Sequence, residues 1–122
     1  MKHYKKHRFI VREKALKAAS ICFSLTRKHR KLPGDLASQI NRAAISVVMN
    51  IAEANGRTGK DRAYHFRVAY ASALETSAGL ELVAKSNPSA NKEIAIALDL
   101  LDQVRAMLWW LMGNAIDLRK KS

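Results

Sequence analysis

Disulfide staples, helix breakers and membrane spans are all nearly missing from this chain. A single cysteine, Cys22, cannot form an intrachain disulfide and fits a reducing compartment. Only two prolines occur, Pro33 and Pro88, and each sits in a short polar break. No apolar run approaches the ~18–20 residues that span a bilayer. The best one, "AAISVVM" from Ala43, is broken by Ser46. No apolar h-region follows the charged start, so no cleaved signal peptide is expected. A cytoplasmic protein with no membrane partner is the expectation. Acidic residues are also scarce, with 10 Asp+Glu against 22 Lys+Arg and a net charge of +12.

That charge is unevenly placed. Residues 1–34 hold 11 basic residues (Lys2, Lys5, Lys6, Arg8, Arg12, Lys14, Lys17, Arg27, Lys28, Arg30 and Lys31) against one acidic, Glu13. The other 88 residues hold 11 against 9, so nearly all the excess lies in the first segment. A polyanionic partner is the functional reading, through phosphate neutralisation and counterion release. The alternative is a solvated, solubilising face.

Apolar residues make up 48% of the 122, enough for one continuous core. Between the breaks their spacing is helical, with no sustained alternation. The first segment, about residues 9–29, carries Val11, Ala15, Ala18, Cys22 and Leu25. The second, about 36–55, carries Leu36, Ile40, Ala43, Val47 and Ile51. The third, about 60–85, carries Phe66, Ala69, Ala73, Ser77, Leu80 and Ala84. The fourth, about 92–119, carries Ala97, Leu101, Val104, Leu108, Leu111, Ala115 and Leu118. The 4-3 steps of the first and fourth are the period of left-handed bundles. Short breaks make successive helices antiparallel, so the spacing predicts an all-α, up-down-up-down four-helix bundle. One domain, residues 1–122, is expected, with a basic N-terminal arm of about residues 1–10.

Two helices carry more apolar residues than one stripe needs. Helix two adds Ala37, Ala44, Ile45, Val48, Met49 and Ala52, and helix four adds Ile96, Leu100, Met107, Trp109 and Trp110. The surplus predicts that bundles pack on one another.

The stretch "GRTGKD" invites a phosphate-loop reading, which fails. Gly56 and Gly59 have two residues between them rather than four, Asp61 occupies the place of the magnesium-binding hydroxyl, and a helix precedes the loop. A turn is predicted instead, with Gly56 at a left-handed C′ position and Thr58 and Asp61 as a capping box; Asp35 is a candidate N-cap for helix two. Arg57, Lys60 and Arg62 offer accessory phosphate contacts. Across this hairpin, residue numbers that sum to about 117 should face each other: Arg42 with Glu75, Ser46 with Ser72, Asn50 with Arg67, Glu53 with Tyr64 or His65. Structural pairing of such groups offsets the cost of burying them.

The same residues carry a resemblance. "LASQINRAAISVVMNIAEANGR" followed by "DRAYHFRVAYASALETSAGLEL" resembles the core of the bacterial four helix bundle proteins encoded by intervening sequences in large-subunit ribosomal RNA genes. The matching positions are Leu36, Gln39, Arg42, Ala43, Ala44, Asn50, Ile51, Ala52, Glu53, Gly56 and Arg57, then Phe66, Ser72 and Glu75; Ala54 stands where that family usually has glycine. The resemblance implies a homopentamer of four-helix bundles. It further implies kinship with the accessory variability determinant of diversity-generating retroelements, a basic pentamer that binds nucleic acid and a reverse transcriptase.

The leading expectation is therefore a non-enzymatic protein that binds RNA or DNA with weak sequence selectivity, accessory to a reverse transcriptase or to ribosomal RNA. Lys2, Lys5, Lys6, Arg8, Arg12, Lys14, Arg27, Lys28, Arg30 and Lys31 would contact phosphates, and Tyr4 and His7 would stack on bases. The alternative is a scaffold that docks an acidic protein partner. No cofactor or metal is expected. His3 and His7 lack a third ligand, Cys22 lies on an apolar seam, and Ser72 and Glu75 lack a base.

Overall fold

The computed structural model describes residues 2–121, with side chains described from His3 to Ala115. The elements are α1 (Lys2–Lys28), α2 (Leu36–Asn55), α3 (Gly59–Ser86), a 3-10 turn at Pro88–Ala90, and α4 (Asn91–Lys121). No strand occurs among the described residues. Each helix packs on two neighbours, α1 on α2 and α4, α3 on α2 and α4, which gives the square of an up-down-up-down bundle. The loops 29–35 and 87–90 lie at one end, the loop end. The α2–α3 turn and the start of α1 lie at the other, the turn end.

The 4-3 pattern locates the core. Val11, Ala15, Ala18, Cys22 and Leu25 of α1 are buried, as are Ala97, Leu101, Val104, Leu108, Leu111 and Ala115 of α4. Leu118 lies outside the described side chains. Phe66, Ile51, Leu80 and Ile40 fill the space between α2 and α3. Ile40 meets Gly79 so closely that a Cβ on that glycine would lie 2.6 Å from Ile40 Cγ1. The two helices therefore depend on glycine there for their approach.

Several local expectations change. The basic stretch read as an arm is helical from Lys2 and continuous with α1. Its anchor is Tyr4, 4% exposed, one heptad before Val11 and so on the same buried face. Gly56 closes α2 with an ordinary φ of −92°, and the left-handed residue is Gly59, φ 56°. The Thr58 side chain makes no cap bond, because the backbone already turns at Gly59 and Asp61 is occupied by Arg57. Asp35 does not cap either; its carboxylate accepts from Gln39 Nε2 at 3.1 Å. Of the surplus apolar residues, Ala44 and Leu100 join the core, whereas Ile45, Met49, Ile96, Trp109 and Trp110 stay exposed. No described helix is long and apolar enough to cross a membrane.

Candidate nucleic-acid interface

α1 has 27 residues and is about 40 Å long, so it spreads its cations over the length of the bundle. Lys5, Lys6, Arg8 and Arg12 sit at the turn end beside Arg57, Lys60 and Arg62. Arg27, Lys28, Arg30 and Lys31 sit at the loop end. Between Lys17 and Arg27 no residue is charged, a gap of about 15 Å along the helix. One basic segment in the sequence is thus two basic regions in space. The Lys2 side chain lies outside the described residues.

Ion pairs sort the cations further. Arg12 bonds Glu13 at 2.6 Å, and Lys28 bonds Glu93 across to α4 at 3.0 Å. Arg57 is shared between Glu53 and Asp61, each at 3.2 Å, and hydrogen bonds to these carboxylates, Glu53 first, raise its pKa. Lys14 donates to Gln103 on α4 at 2.6 Å. Among the described residues Lys5, Lys6, Arg8, Lys60 and Arg62 make no ion pair, and neither do Arg27, Arg30 and Lys31 at the loop end.

The turn end has a distinctive centre. Arg8 and Arg62 both lie against the Tyr4 ring, with guanidinium carbons 5.3 and 5.7 Å from its centroid. Cation–π attraction offsets part of the repulsion between them. Burial, then the neighbouring Arg62, lowers the Arg8 pKa from its usual value. Arg62 Nε donates to the Ala54 carbonyl at 2.9 Å, which ties α3 to the last turn of α2. Tyr4 Oη, Arg8 Nε and Asn55 Oδ1 are buried and have no hydrogen-bond partner among the described residues. Buried polar atoms are ordinarily bonded to protein or water; Asn41 Oδ1, Ser77 Oγ and Arg105 Nε are in the same state elsewhere in the bundle, so what is distinctive at the turn end is the grouping of three.

The stacking residues expected from the sequence do not serve. Tyr4 is inside, and His7 is half-buried with its ring 4.5 Å from that of Trp110. Phe9 is the aromatic that sequence reasoning passed over; it is 63% exposed at the turn end. The register would have found it, because a helix that buries Tyr4 and Val11 turns residue 9 outward.

The polar stripe on α2 is partly as expected. Ser46 and Ser72 share a 2.7 Å hydrogen bond. Asn50 Nδ2 donates to the Ser46 carbonyl, and its Oδ1 meets His65 Nδ1 at 3.0 Å rather than Arg67. Arg42 and Glu75 are exposed and no ion pair joins them, because both lie at the outer margin of the α2–α3 seam. Glu53 turns to Arg57 on its own helix instead of crossing to Tyr64 or His65. The Cys22 thiol is fully buried, and burial pushes its pKa up to about 11, as suits a packed side chain rather than a nucleophile. No group of three metal-ligating side chains occurs among the described residues.

Two apolar faces complete the surface. Leu16, Ala19, Phe23, Ile45, Val48 and Met49 line a groove of about 370 Å³ between α1 and α2. On the opposite edge, Trp109 of α4 is 69% exposed and packs on Tyr70 of α3, with Leu74 exposed on α3 as well.

The family model described as 23S rRNA-intervening sequence protein matches residues 7–109. The chain belongs to that family. A crystal structure from Bacteroides thetaiotaomicron VPI-5482, described as a protein with unknown function from the S23 ribosomal protein family, has the same fold. Its TM-score is 0.78 at 20% identity, covering 88% of this chain and 98% of that one. At that identity the likeness speaks for the fold alone. No curated protein matches the chain. Within this intervening-sequence family member, the matched segment takes in all of the turn-end cluster except Tyr4 and Lys5 to Lys6.

Proposed function

We propose that this intervening-sequence family protein is a non-enzymatic, oligomeric binder of nucleic acid, with weak sequence selectivity and its main contact region at the turn end. The observation that carries the reading is the set of cations there, Lys5, Lys6, Arg8, Lys60 and Arg62, without carboxylate partners among the described residues. Unpaired cations neutralise phosphates at no cost of breaking an internal ion pair, and each contact releases counterions. The link of the family to 23S rRNA makes RNA the first ligand to try.

Assembly supports the same reading. The apolar groove of α1 and α2 and the Trp109 face of α3 and α4 lie on opposite edges of the square. A face that fits its opposite on the next copy makes a heterologous contact, and such contacts form a ring where the rotation between copies closes. The family resemblance implies a pentamer, in which five copies at +12 each would bring the formal charge to +60.

Binding to single-stranded RNA, duplex RNA and duplex DNA, measured between about 50 and 300 mM salt, tests the function. For duplex DNA the log–log slope should be near −0.9 per phosphate contact. No binding at the lowest salt would remove the proposal and favour a scaffold for an acidic protein. Sedimentation of the purified protein tests assembly; about 68 kDa is expected, five times the 13.6 kDa chain.

A further inference from the structure

The turn end holds more than charge. Lys5, Arg8, Phe9 and Arg12 of α1 and Asn55 of α2 line an open cleft of about 320 Å³. Lys5, Arg8, Phe9 and Arg12 follow one another at helical spacing on a single face of α1, so the exposed ring of Phe9 stands among three cations, with the Asn55 amide reaching the cleft from α2. Of these lining residues, Arg8 Nε and Asn55 Oδ1 are buried and have no hydrogen-bond partner among the described residues. Arg62 approaches from behind, stacked with Arg8 on Tyr4, and adds positive field without lining the cleft.

We infer that this cleft binds one nucleotide of a single strand, its phosphate held by Arg8 with Lys5 and Arg12 at the rim, and its base stacked on Phe9. The inference rests on the nucleic-acid reading above and narrows it to single strands. Cations alone attract any polyanion, but an exposed aromatic ring rewards only a base free to leave its partner. That combination of a basic groove and a stacking ring is how single strands are held without sequence readout. A duplex buries its base faces and gains nothing from Phe9.

Phe9 also has no structural duty to explain its place. It is 63% exposed, outside the buried core, and surrounded in sequence by Arg8 and Arg12. A single exposed apolar side chain is ordinary on a protein surface; what singles Phe9 out is its place in the cleft lining with Lys5, Arg8 and Arg12.

The decisive experiment compares wild type, Phe9→Leu, Phe9→Tyr, Arg8→Gln and the remote control Lys85→Gln for binding to a single-stranded RNA and to an RNA duplex, with a thermal melt of each variant. Phe9→Leu keeps an apolar side chain and removes the ring, so it should weaken single-strand binding about tenfold and leave duplex binding unchanged. Phe9→Tyr keeps the ring and should bind as wild type. Arg8→Gln should weaken both ligands, and Lys85→Gln neither. Equal loss on both ligands in Phe9→Leu, or no loss, overturns the cleft while leaving the wider reading intact. Failure of the wild type to bind either RNA overturns both.

Discussion

The two ends of the bundle use similar residues in opposite ways. At the loop end the helices are closely joined: Ile40 seats directly on Gly79, Thr26 donates to the Cys22 carbonyl and accepts from Asn41, whose own Oδ1 is buried without a partner among the described residues, and Lys28 is held by Glu93. At the turn end, Arg8 and Arg62 crowd one tyrosine ring, and Tyr4, Arg8 and Asn55 each keep a buried polar atom without a hydrogen-bond partner among the described residues. Both ends are basic, so charge alone does not separate them. What separates them is the aromatic centre: at the turn end two guanidiniums converge on the Tyr4 ring, whereas Arg27, Arg30 and Lys31, which make no ion pair among the described residues either, converge on no ring there. Natural sequences tend to break local rules where function requires it, and the turn end is where this chain does so.

The largest expected effect tests that contrast directly. Two variants remove the same four charges, one at each end: Lys5, Lys6, Arg8 and Lys60 to Gln, or Arg27, Lys28, Arg30 and Lys31 to Gln. A ligand attracted by net charge alone would respond to both alike. The turn-end variant should lose about 100-fold in RNA affinity at 150 mM salt, with a clearly smaller salt slope. The loop-end variant should lose less than about tenfold. Equal losses would dissolve the distinction between the ends.

Stability should show the reverse asymmetry. Gly79→Ala at the loop-end half drives a Cβ to 2.6 Å from Ile40 Cγ1, and Ile40 is 1% exposed, with no room to yield. Overpacking of this kind costs about 1–3 kcal/mol, readable by chemical denaturation. Tyr4→Phe at the turn end removes a buried hydroxyl that has no partner among the described residues. It should leave stability unchanged or raise it by about 1 kcal/mol, because only a desolvation penalty is lost. A marked loss in Tyr4→Phe would mean that the hydroxyl is bonded, and the account of the turn end would need that partner.

The helical seams were legible because the 4-3 spacing leaves one choice of buried face; every described seam position of α1 and α4, from Val11 to Ala115, is inside. The hairpin arithmetic was good enough to join Ser46 to Ser72, where short side chains leave little freedom. It failed for Arg42 and Glu75, whose long side chains reach solvent from the margin of the seam more cheaply than they pair. The turn-end site was hidden for a different reason. Read as an arm, residues 1–10 have no faces, and Tyr4, His7 and Phe9 look equivalent. Once the helix starts at Lys2, the heptad carries Tyr4 in and Phe9 out. Which cations are paired depends on partners up to 65 positions away, as for Lys28 and Glu93, and no local pattern encodes that.

The smallest effect separates two cations of a single turn. Arg57 and Lys60 stand three residues apart and look interchangeable as phosphate ligands in the sequence. Arg57 already spends its Nε on Glu53 and a terminal nitrogen on Asp61, whereas Lys60 is exposed and makes no ion pair among the described residues. A phosphate at Arg57 would have to displace two carboxylates, so that contact should contribute little. Lys60→Gln is expected to lower the salt slope on duplex DNA by about 0.9, one phosphate's worth, with a loss of a few-fold in affinity. Arg57→Gln should leave the slope unchanged. The double change Glu53→Gln with Asp61→Asn then releases Arg57 and should steepen the slope by about 0.9. If Arg57→Gln instead lowers the slope as much as Lys60→Gln does, internal pairing does not decide which cations reach the ligand. The turn end would then owe its affinity to charge density alone.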